Sequence, residues 1–283
     1  MASFTNFATL SYNGGTTNSN IVTGEILEAL TAVKTAVSAN YSAGDRITYA
    51  LSLVNTGTAA ITDYTVTDNL GGYTVGANTV YPLAYNAGTV RYYINGVLQT
   101  APTVTAGPAL TVTGLTVPAG GSAVLIYETT ATPVAPLATG SSITNTATIT
   151  GGGLTTPITA QATVETANSA ELSISKALSP TTVTENGQIT YTFVISNTGN
   201  TEATATGNVV VTDTFAPILR NIAVTYNGTA WTEGTNYTYN AATGVFTTLA
   251  GQITVPAATF TQNTDGTFTV TPGTATLVIT GTV

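Results

Sequence analysis

The sequence has no cysteine and no histidine, and their absence excludes several classes of function at once. Zinc sites, thiolate nucleophiles and Ser-His-Asp triads each depend on one of these two residue types. Basic residues are also scarce, since only five occur in the chain: Lys34, Arg46, Arg91, Lys176 and Arg220. Five scattered positive charges cannot follow a phosphate backbone, so nucleic acid is excluded as a partner.

Long apolar runs are lacking too, and no stretch of the 283 residues approaches the length that spans a bilayer. The opening residues, Met-Ala-Ser-Phe-Thr-Asn, contain neither a basic region nor an apolar core, so we expect no signal peptide in this chain. Charged residues make up 6% of the sequence and give a net charge of −8. The surface is therefore mostly Thr, Ser, Asn and Gly, which suits an extracellular object exposed to proteases.

What the sequence contains is typical of β-structure. Thr, Val, Ile, Tyr and Ala dominate, and Gly, Asn and Pro divide them into short runs, as in strands joined by tight turns. The length suits two domains that each bury a core of their own. We therefore predict an all-β chain of two tandem immunoglobulin-like β-sandwich domains. Residues 24–37 lack turn signals, so a helix over 22–37 is the alternative for that segment.

An internal repeat organises the chain. Residues 34–57 match residues 176–199, and the blocks Ile-Thr-Tyr and Asn-Thr-Gly keep the same spacing from the leading lysine. Further along, residues 66–68 match 211–213, residues 117–119 match 255–257, and residues 121–130 match 273–282. Asn-Gly pairs at 95–96 and 227–228 predict hairpin turns in both copies, because Asn-Gly supplies the positive φ angles of a type I′ turn.

The two copies end differently. The first continues to a final strand at 142–150 (SITNTATIT), whereas the second stops at Val283 without a counterpart. A matching segment, SFTNFATLS, lies instead at residues 3–11, where five residues are identical to Ser142, Thr144, Asn145, Ala147 and Thr148. We therefore expect a donor strand at 1–13, a linker at 14–33, domain 1 at 34–151, a linker at 152–175, and domain 2 at 176–283 lacking its last strand.

A sandwich that lacks a strand exposes an apolar trough and unpaired backbone, and both are costly in water. Docking of the N-terminal strand into the next molecule removes that cost, and head-to-tail repetition makes an open filament. The residues that would face the trough of the next subunit are Phe4, Asn6, Ala8 and Leu10. Two alternatives are that the strand returns within its own chain or that residues 1–13 form a disordered leader.

Each copy places a lysine and an aspartate on the core face of a strand. Because alternate residues of a strand share a face, Lys34 and Lys176 lie in phase with apolar neighbours, as do Asp68 and Asp213. The final strand of the first copy adds Asn145, and the N-terminal strand carries Asn6 at the matching position. A core accepts such groups only when they satisfy one another.

Burial lowers the pKa of a lysine and raises that of an aspartate, so both groups become neutral more easily. A neutral amine beside an asparagine side chain can attack its carbonyl carbon, with the aspartate relaying protons and ammonia leaving. The product is an isopeptide bond, within one molecule for Lys34 and Asn145 and between molecules for Lys176 and Asn6, with Asp68 and Asp213 as the respective proton relays. The alternative is a buried salt bridge with a hydrogen-bonded asparagine.

The combination of these motifs resembles a bacterial surface repeat, the domain of unknown function numbered eleven. The motifs are Lys-Thr in the first strand, Asn-Thr-Gly after the second, Val-Thr-Asp before a Leu or Phe turn, and Thr-Asn-Thr-Ala-Thr at the end. The resemblance covers both repeats, about 250 residues, and implies an immunoglobulin-like fold, a role as a stalk or fibre, and intradomain isopeptide bonds. The chain departs from the family pattern in having no signal peptide and no anchoring tail.

The leading hypothesis is a self-assembling subunit of a filament on a bacterial cell or spore surface, whose partner is another copy of itself. We expect no enzyme activity beyond a single self-directed turnover, and no cofactor, metal or small-molecule substrate. The alternatives are a monomeric stalk or adhesin that binds a host or matrix ligand, and a carbohydrate-binding module that uses Trp231.

Overall fold

The computed structural model describes residues 2–26 and 29–283. The chain divides into two compact units, the first made of residues 1–135 and 142–165, and the second of residues 136–141 and 166–283. Both are built almost entirely from β-strands, so the predicted all-β fold is confirmed.

The first unit carries two main sheets and several short hairpins. Its strands are β1 (Ala2–Asn6), β2 (Thr9–Tyr12), β3 (Gly15–Asn18), β4 (Val22–Ile26), β5 (Leu30–Ala36), β6 (Asn40–Tyr41), β7 (Arg46–Asn55), β8 (Ile61–Asp68), β9 (Tyr73–Val75), β10 (Asn78–Val80), β11 (Leu83–Tyr85), β12 (Arg91–Ile94), β13 (Val97–Leu98), β14 (Thr103–Ala106), β15 (Leu110–Val117), β16 (Ser122–Ala131), β17 (Ser142–Gly151) and β18 (Ile158–Thr166). One sheet has the order β13-β12-β16-β7-β5 with β11 beside β16, and the other β14-β15-β8-β17-β18-β6.

The core of this sandwich is formed by every second side chain along its strands. In β7 the buried side chains are Ile47, Tyr49, Leu51 and Leu53, with more exposed residues between them. β15, β16 and β17 alternate in the same way. This period of two buries one face of each sheet, and each large apolar side chain removed from water contributes about 1.5–3 kcal/mol.

The second unit repeats this plan with fewer strands. It contains β19 (Leu172–Ser179), β20 (Gln188–Asn197), a 3-10 turn (Ala205–Gly207), β21 (Thr212–Thr214), β22 (Arg220–Tyr226), β23 (Thr229–Trp231), β24 (Tyr237–Asn240), β25 (Val245–Thr248), β26 (Thr259–Gln262), β27 (Phe268–Thr271) and β28 (Gly273–Thr282). The sheet orders are β19-β20-β28-β22-β23 and β21-β25-β24, with β26 and β27 as a separate hairpin.

The Asn-Thr-Gly block has a structural role that explains why it recurs. The side chain of Asn55 donates hydrogen bonds to the carbonyls of Ala59 (2.8 Å) and Pro118 (3.1 Å). Its counterpart Asn197 does the same towards Thr201 (2.8 Å) and Pro256 (3.0 Å). Each asparagine therefore ties the end of one strand to the Val-Pro-Ala block, which is why the two motifs occur together in both copies.

The second unit lacks the strands that follow β8 in the first. There, β8 pairs with β15 on one side and with β17 on the other, and β18 and β6 come next in the sheet. In the second unit β21 takes the place of β8 and pairs with β25, and the described sheet ends at β21. One edge of this sandwich is thus open where the first unit has β17 and β18.

The N-terminal residues form paired strands. β1 pairs with β4 and β2 pairs with β3, so residues 2–26 make one long hairpin, hereafter the N-terminal hairpin. Its turn at Asn13-Gly14 has positive φ angles at both residues (39° and 84°), as a type I′ turn requires. The alternative of a disordered leader is therefore wrong for the described residues, and the expected donor strand is interrupted between β1 and β2.

Three boundaries differ from the sequence prediction. The alternative helix over 22–37 is wrong, because β4 and β5 occupy its described residues. The segment 14–33, expected as a linker, contains β3, β4 and the start of β5. The segment 152–175, also expected as a linker, contains β18, which pairs along its length with β17, and the start of β19. The repeat alignment missed β18 because its polar alternate residues resemble linker composition.

Candidate cross-linking sites

In the first unit Lys34 and Asp68 meet inside the core. Lys34 lies on β5, where Leu30 and Lys34 face inward and the residues between them are more exposed. Its Nζ donates a hydrogen bond of 2.5 Å to Oδ2 of Asp68, the last residue of β8. The side chains are 0% and 1% exposed, so this ion pair is fully removed from water.

Two tyrosines complete the surroundings of this pair. The hydroxyl of Tyr127 on β16 donates a hydrogen bond to the same Oδ2, and the backbone N–H of Leu70 donates to Oδ1 (3.0 Å). Lys34 Nζ also lies 4.8 Å from the ring centre of Tyr49 on β7, close enough for a cation–π contact. Asp68 is thus held on both carboxylate oxygens while the lysine is enclosed by aromatic rings.

Asn145 is the third polar group at this place. β17 pairs with β8 so that Ala147 lies opposite Asp68, and Asn145 is two residues further along the same face of β17. Residues placed diagonally across two paired strands, as Asp68 and Asn145 are, lie about 7 Å apart. The side chain of Lys34, which is hydrogen-bonded to Asp68, can span that distance. Asn145 is completely buried, and among the described residues neither its amide nitrogen nor its oxygen makes a hydrogen bond of good geometry, although its amide interacts with the hydroxyls of Tyr49 and Tyr127. A buried amide without well-formed hydrogen bonds costs free energy, so its retention requires an explanation.

The environment shifts the proton affinities of these groups. Burial lowers the pKa of Lys34 from 10.5 to about 8, although the nearby Asp68 acts in the opposite direction. Burial also raises the pKa of Tyr49 and of Tyr127 above the usual range, so both hydroxyls stay protonated, and the adjacent Asn145 amide opposes that shift. Lys34 therefore gives up its proton more readily than a lysine exposed to water.

This arrangement is suited to forming an amide bond. The ion pair can pass a proton from Nζ to Asp68, which leaves a neutral nucleophile beside a protonated acid. The Asn145 amide lies on the same face, and it makes no hydrogen bond of good geometry that would hold it away from Nζ. The arrangement therefore brings an amine, a carboxylate and a side-chain amide together in a part of the core that is excluded from water.

The corresponding pair in the second unit is only partly enclosed. Lys176 on β19 donates a hydrogen bond of 2.5 Å to Asp213 on β21, but the two side chains are 40% and 18% exposed. The rings of Tyr191 and Phe215 lie 4.5 and 5.6 Å from Nζ. The repeat alignment places Ile279 where the first unit has Tyr127, so the carboxylate of Asp213 lacks that hydroxyl.

Exposed apolar side chains surround this second pair. Leu172 is 40% exposed, whereas its counterpart Leu30 is 3% exposed. We call this region the open trough, and its members are Leu172, Ile174, Lys176, Leu178, Val183 and Asp213. The trough lies at the edge where the second unit lacks the strands corresponding to β17 and β18, which accounts for its exposure.

The predicted donor residues lie in the N-terminal hairpin with their side chains exposed. Phe4 is 54% and Leu10 62% exposed. Asn6 pairs with Val22 across β1 and β4 and is also exposed. Ala8 lies at the interruption between β1 and β2, where its carbonyl accepts a hydrogen bond from the N–H of Ser19 (2.7 Å). The hairpin therefore presents apolar side chains that stay largely open to solvent.

Comparison with known proteins finds no matching family model and no match among curated proteins. The resemblance to the domain of unknown function eleven therefore stays a prediction.

Several similar solved structures are pilins and adhesins. The major pilin subunit BcpA of Bacillus cereus is 14% identical over 96% of this chain and 73% of its own, with a TM-score of 0.36. The pilus backbone protein RrgB of Streptococcus pneumoniae is 14% identical over 86% and 55%, with a TM-score of 0.36. The N-terminal domain of the adhesin Sgo0707 of Streptococcus gordonii is 14% identical over 48% and 32%, with a TM-score of 0.36. The chain thus spans less than two thirds of the latter two structures, and likenesses this weak carry no argument about function.

The sequence analysis did not single out Tyr49 and Tyr127. Both tyrosines lie on the same face of their strands as buried leucines. This alternation predicts that they belong to the core, but it does not distinguish them from other core tyrosines. Their contacts with Lys34 and Asp68 depend on which strands become neighbours. Trp231, considered for carbohydrate binding, stacks on Tyr226 with ring centres 4.8 Å apart.

Neither a membrane-spanning helix nor a metal-binding cluster occurs among the described residues. No helix there is long and apolar enough to cross a membrane. The same residues contain no group of three or more acidic, histidine or cysteine side chains arranged to hold a metal ion.

Proposed function

We propose that the chain is a structural subunit of an extracellular bacterial filament that polymerises head to tail, with the N-terminal segment of one copy completing the second unit of the next. One observation carries the proposal. The second unit is open at the edge where the first unit has its last strands, and the only close sequence match to β17 elsewhere in the chain is the N-terminal segment.

Both the open trough and the N-terminal hairpin expose groups whose contact with water is unfavourable. The open trough exposes leucine and isoleucine side chains together with the unpaired backbone edge of β21, and the N-terminal hairpin exposes Phe4 and Leu10. Docking covers both sets of apolar side chains and pairs the free edge. The register is restricted, because a slip of one residue would turn Phe4 and Leu10 out to solvent.

We further propose that Lys34 and Asn145 join covalently within the first unit. The proton moves from Lys34 to Asp68, and the neutral Nζ attacks Cγ of Asn145. The bond between Cγ and Nδ2 then breaks as the new bond between Nζ and Cγ forms, and the amide nitrogen leaves as ammonia with protons relayed by Asp68. The complete burial of an amide that makes no hydrogen bond of good geometry, beside a lysine of lowered pKa, supports this step.

The same chemistry between molecules would make the filament covalent. If the N-terminal segment docks as β17 does, Asn6 takes the place of Asn145 and meets Lys176 and Asp213. Docking would also bury a pair that is exposed in the isolated second unit, and burial is what lowers the pKa of Lys34. The intermolecular bond is then formed only after docking.

The test uses the full chain, electron microscopy and hot detergent. Wild type should form fibres that leave a ladder of multimers after boiling in detergent. Asn6→Ala should keep fibres but dissolve to monomer, whereas the control Asn20→Ala, another exposed asparagine of the hairpin, should behave as wild type. Wild-type fibres that dissolve fully to monomer would exclude the intermolecular bond, and a wild type that forms no fibres would exclude the filament.

A further inference from the structure

The open trough of the second unit is two strands wide. In the first unit β17 and β18 both lie between β8 and β6. In the alignment of the two repeats, β21 corresponds to β8, and residues 182–183 correspond to β6. Tyr41 of β6 is fully buried, whereas its counterpart Val183 is 37% exposed. One added strand would pair with β21 and leave the segment around Val183 without its neighbour.

The β1–β4 part of the N-terminal hairpin has the pairing register of the β17–β18 hairpin, and the β2–β3 pairs are shifted by one residue from it. The strand β4 pairs with β1 as β18 pairs with β17, which the alignment of single strands does not reveal. Two cross-strand pairs are identical in residue type: Ser3–Glu25 and Thr5–Thr23 in the N-terminal hairpin, and Ser142–Glu165 and Thr144–Thr163 in the first unit. β4 is therefore a counterpart of β18.

One cross-strand pair differs between the two hairpins, and its two changes in side-chain size offset each other. Ile143 and Val164 lie opposite each other in the first unit, both facing the core. The N-terminal hairpin has Phe4 opposite Gly24 at the same positions. A Cβ added to Gly24 would lie 2.4 Å from the Phe4 ring, so the ring occupies the space that the valine side chain fills in the first unit. A larger residue on one strand is thus matched by a smaller one on the other.

We propose that the occupant of the open trough is the whole two-stranded N-terminal hairpin of a second copy of this chain. β1 and β2 take the place of β17 beside β21, and β3 and β4 take the place of β18 beside the segment around Val183. This inference rests on the proposed function and adds the second strand to it. The linker between subunits then begins after β4, about a dozen residues later than the turn at Asn13-Gly14.

The Phe4–Gly24 pair provides the test. Gly24→Val in the full chain places a valine against the Phe4 ring, which overpacks the hairpin inside the trough. We expect the concentration needed for fibre formation to rise about tenfold or more, the usual consequence of overpacking a well-packed contact. Thr23→Val is the matched control, because its counterpart Thr163 stays exposed on the outer face of β18, and it should assemble as wild type.

A rescue variant distinguishes a packing effect from a general loss of folding. Phe4→Ile with Gly24→Val recreates the Ile143–Val164 pair of the first unit, and assembly should return to within about threefold of wild type, as a volume-conserving exchange allows. If β1 docks alone, residue 24 lies outside the trough, and Gly24→Val should assemble normally with or without the Phe4→Ile exchange.

Hydrogen exchange gives an independent measurement on wild-type fibres. Hairpin docking protects the amides of β4 and of residues 181–183 on assembly, since these backbones become paired. Fibres that form normally while both segments exchange as in the monomer would overturn the hairpin inference and leave single-strand donation intact. Absence of fibres from the wild type would overturn both.

Discussion

The bond between Lys34 and Asn145 makes a quantitative prediction about stability. These residues are 111 positions apart (145 − 34), so the cross-link closes most of the first unit into one loop. A covalent link that closes a loop of about 100 residues removes roughly 4.7 kcal/mol of chain entropy from the unfolded state in the simplest model. Asn145→Ala abolishes the link and retains the ion pair of Lys34 with Asp68.

We expect this variant to unfold about 10–20 °C below wild type in the transition of the first unit, since 1 kcal/mol shifts the midpoint by about 2–4 °C in a domain of this size. Differential scanning calorimetry measures the shift, and intact mass reports the bond.

Asn6→Ala is the control, because Asn6 lies in the same sequence context but is exposed in the N-terminal hairpin. It should leave the transition of the first unit unchanged in dilute monomer. The reasoning is refuted if wild type has the full mass of the uncyclised chain and Asn145→Ala melts within about 2 °C of it.

Three further outcomes follow from the same geometry. Asp68→Ala should restore the mass of one ammonia to the monomer, because no proton relay remains; a mass still reduced would assign the relay elsewhere. In Asn145→Ala, Lys34 titrates, and since its pKa is about 8 when folded and 10.5 when unfolded, the unfolded state binds the proton more tightly. The free energy of unfolding of Asn145→Ala should therefore gain at most about 3 kcal/mol relative to cross-linked wild type between pH 8 and 10.5, measured by urea titration of both proteins. The buried tyrosines, whose raised pKa values lower stability as the pH rises past 10.0, act alike in both proteins and cancel in this difference. Deletion of residues 1–13 should leave both units folded and stop polymerisation; fibres of normal length would rule out strand donation.

Much of the architecture is readable from the residues alone. Turn residues between short runs of Val, Thr, Ile and Tyr indicate an all-β chain, and the repeated Lys, Asn-Thr-Gly and Val-Pro-Ala blocks align the two units. The strand period also places Lys34, Asp68 and Asn145 on core faces, and all three are buried. These features are local or repeat along the chain, so pattern and spacing suffice to identify them.

Other features could not be predicted from the sequence, because they depend on contacts with residues that are distant along the chain. The inward phase of Lys176 predicts burial, yet its side chain is 40% exposed, since burial requires strands that the second unit does not contain. The segments 14–33 and 152–175 lie outside the two aligned repeats, which marks them as linkers, although β4 and β18 pair through them. A strand with one exposed face is hard to recognise in the sequence when the strand that pairs with it is not known.

The sequence by itself determined that this chain has two β-rich repeats, and that a segment with its own asparagine near the start of the chain matches the strand that ends the first repeat. Only the tertiary structure decided that the opening is two strands wide, that Phe4 rests on Gly24, and that Tyr127 donates to Asp68 in one unit while an isoleucine takes its place in the other. The physical reason is that repeats and strand phase are properties of one segment, whereas sheet order, exposure and proton affinity arise from which strands lie side by side.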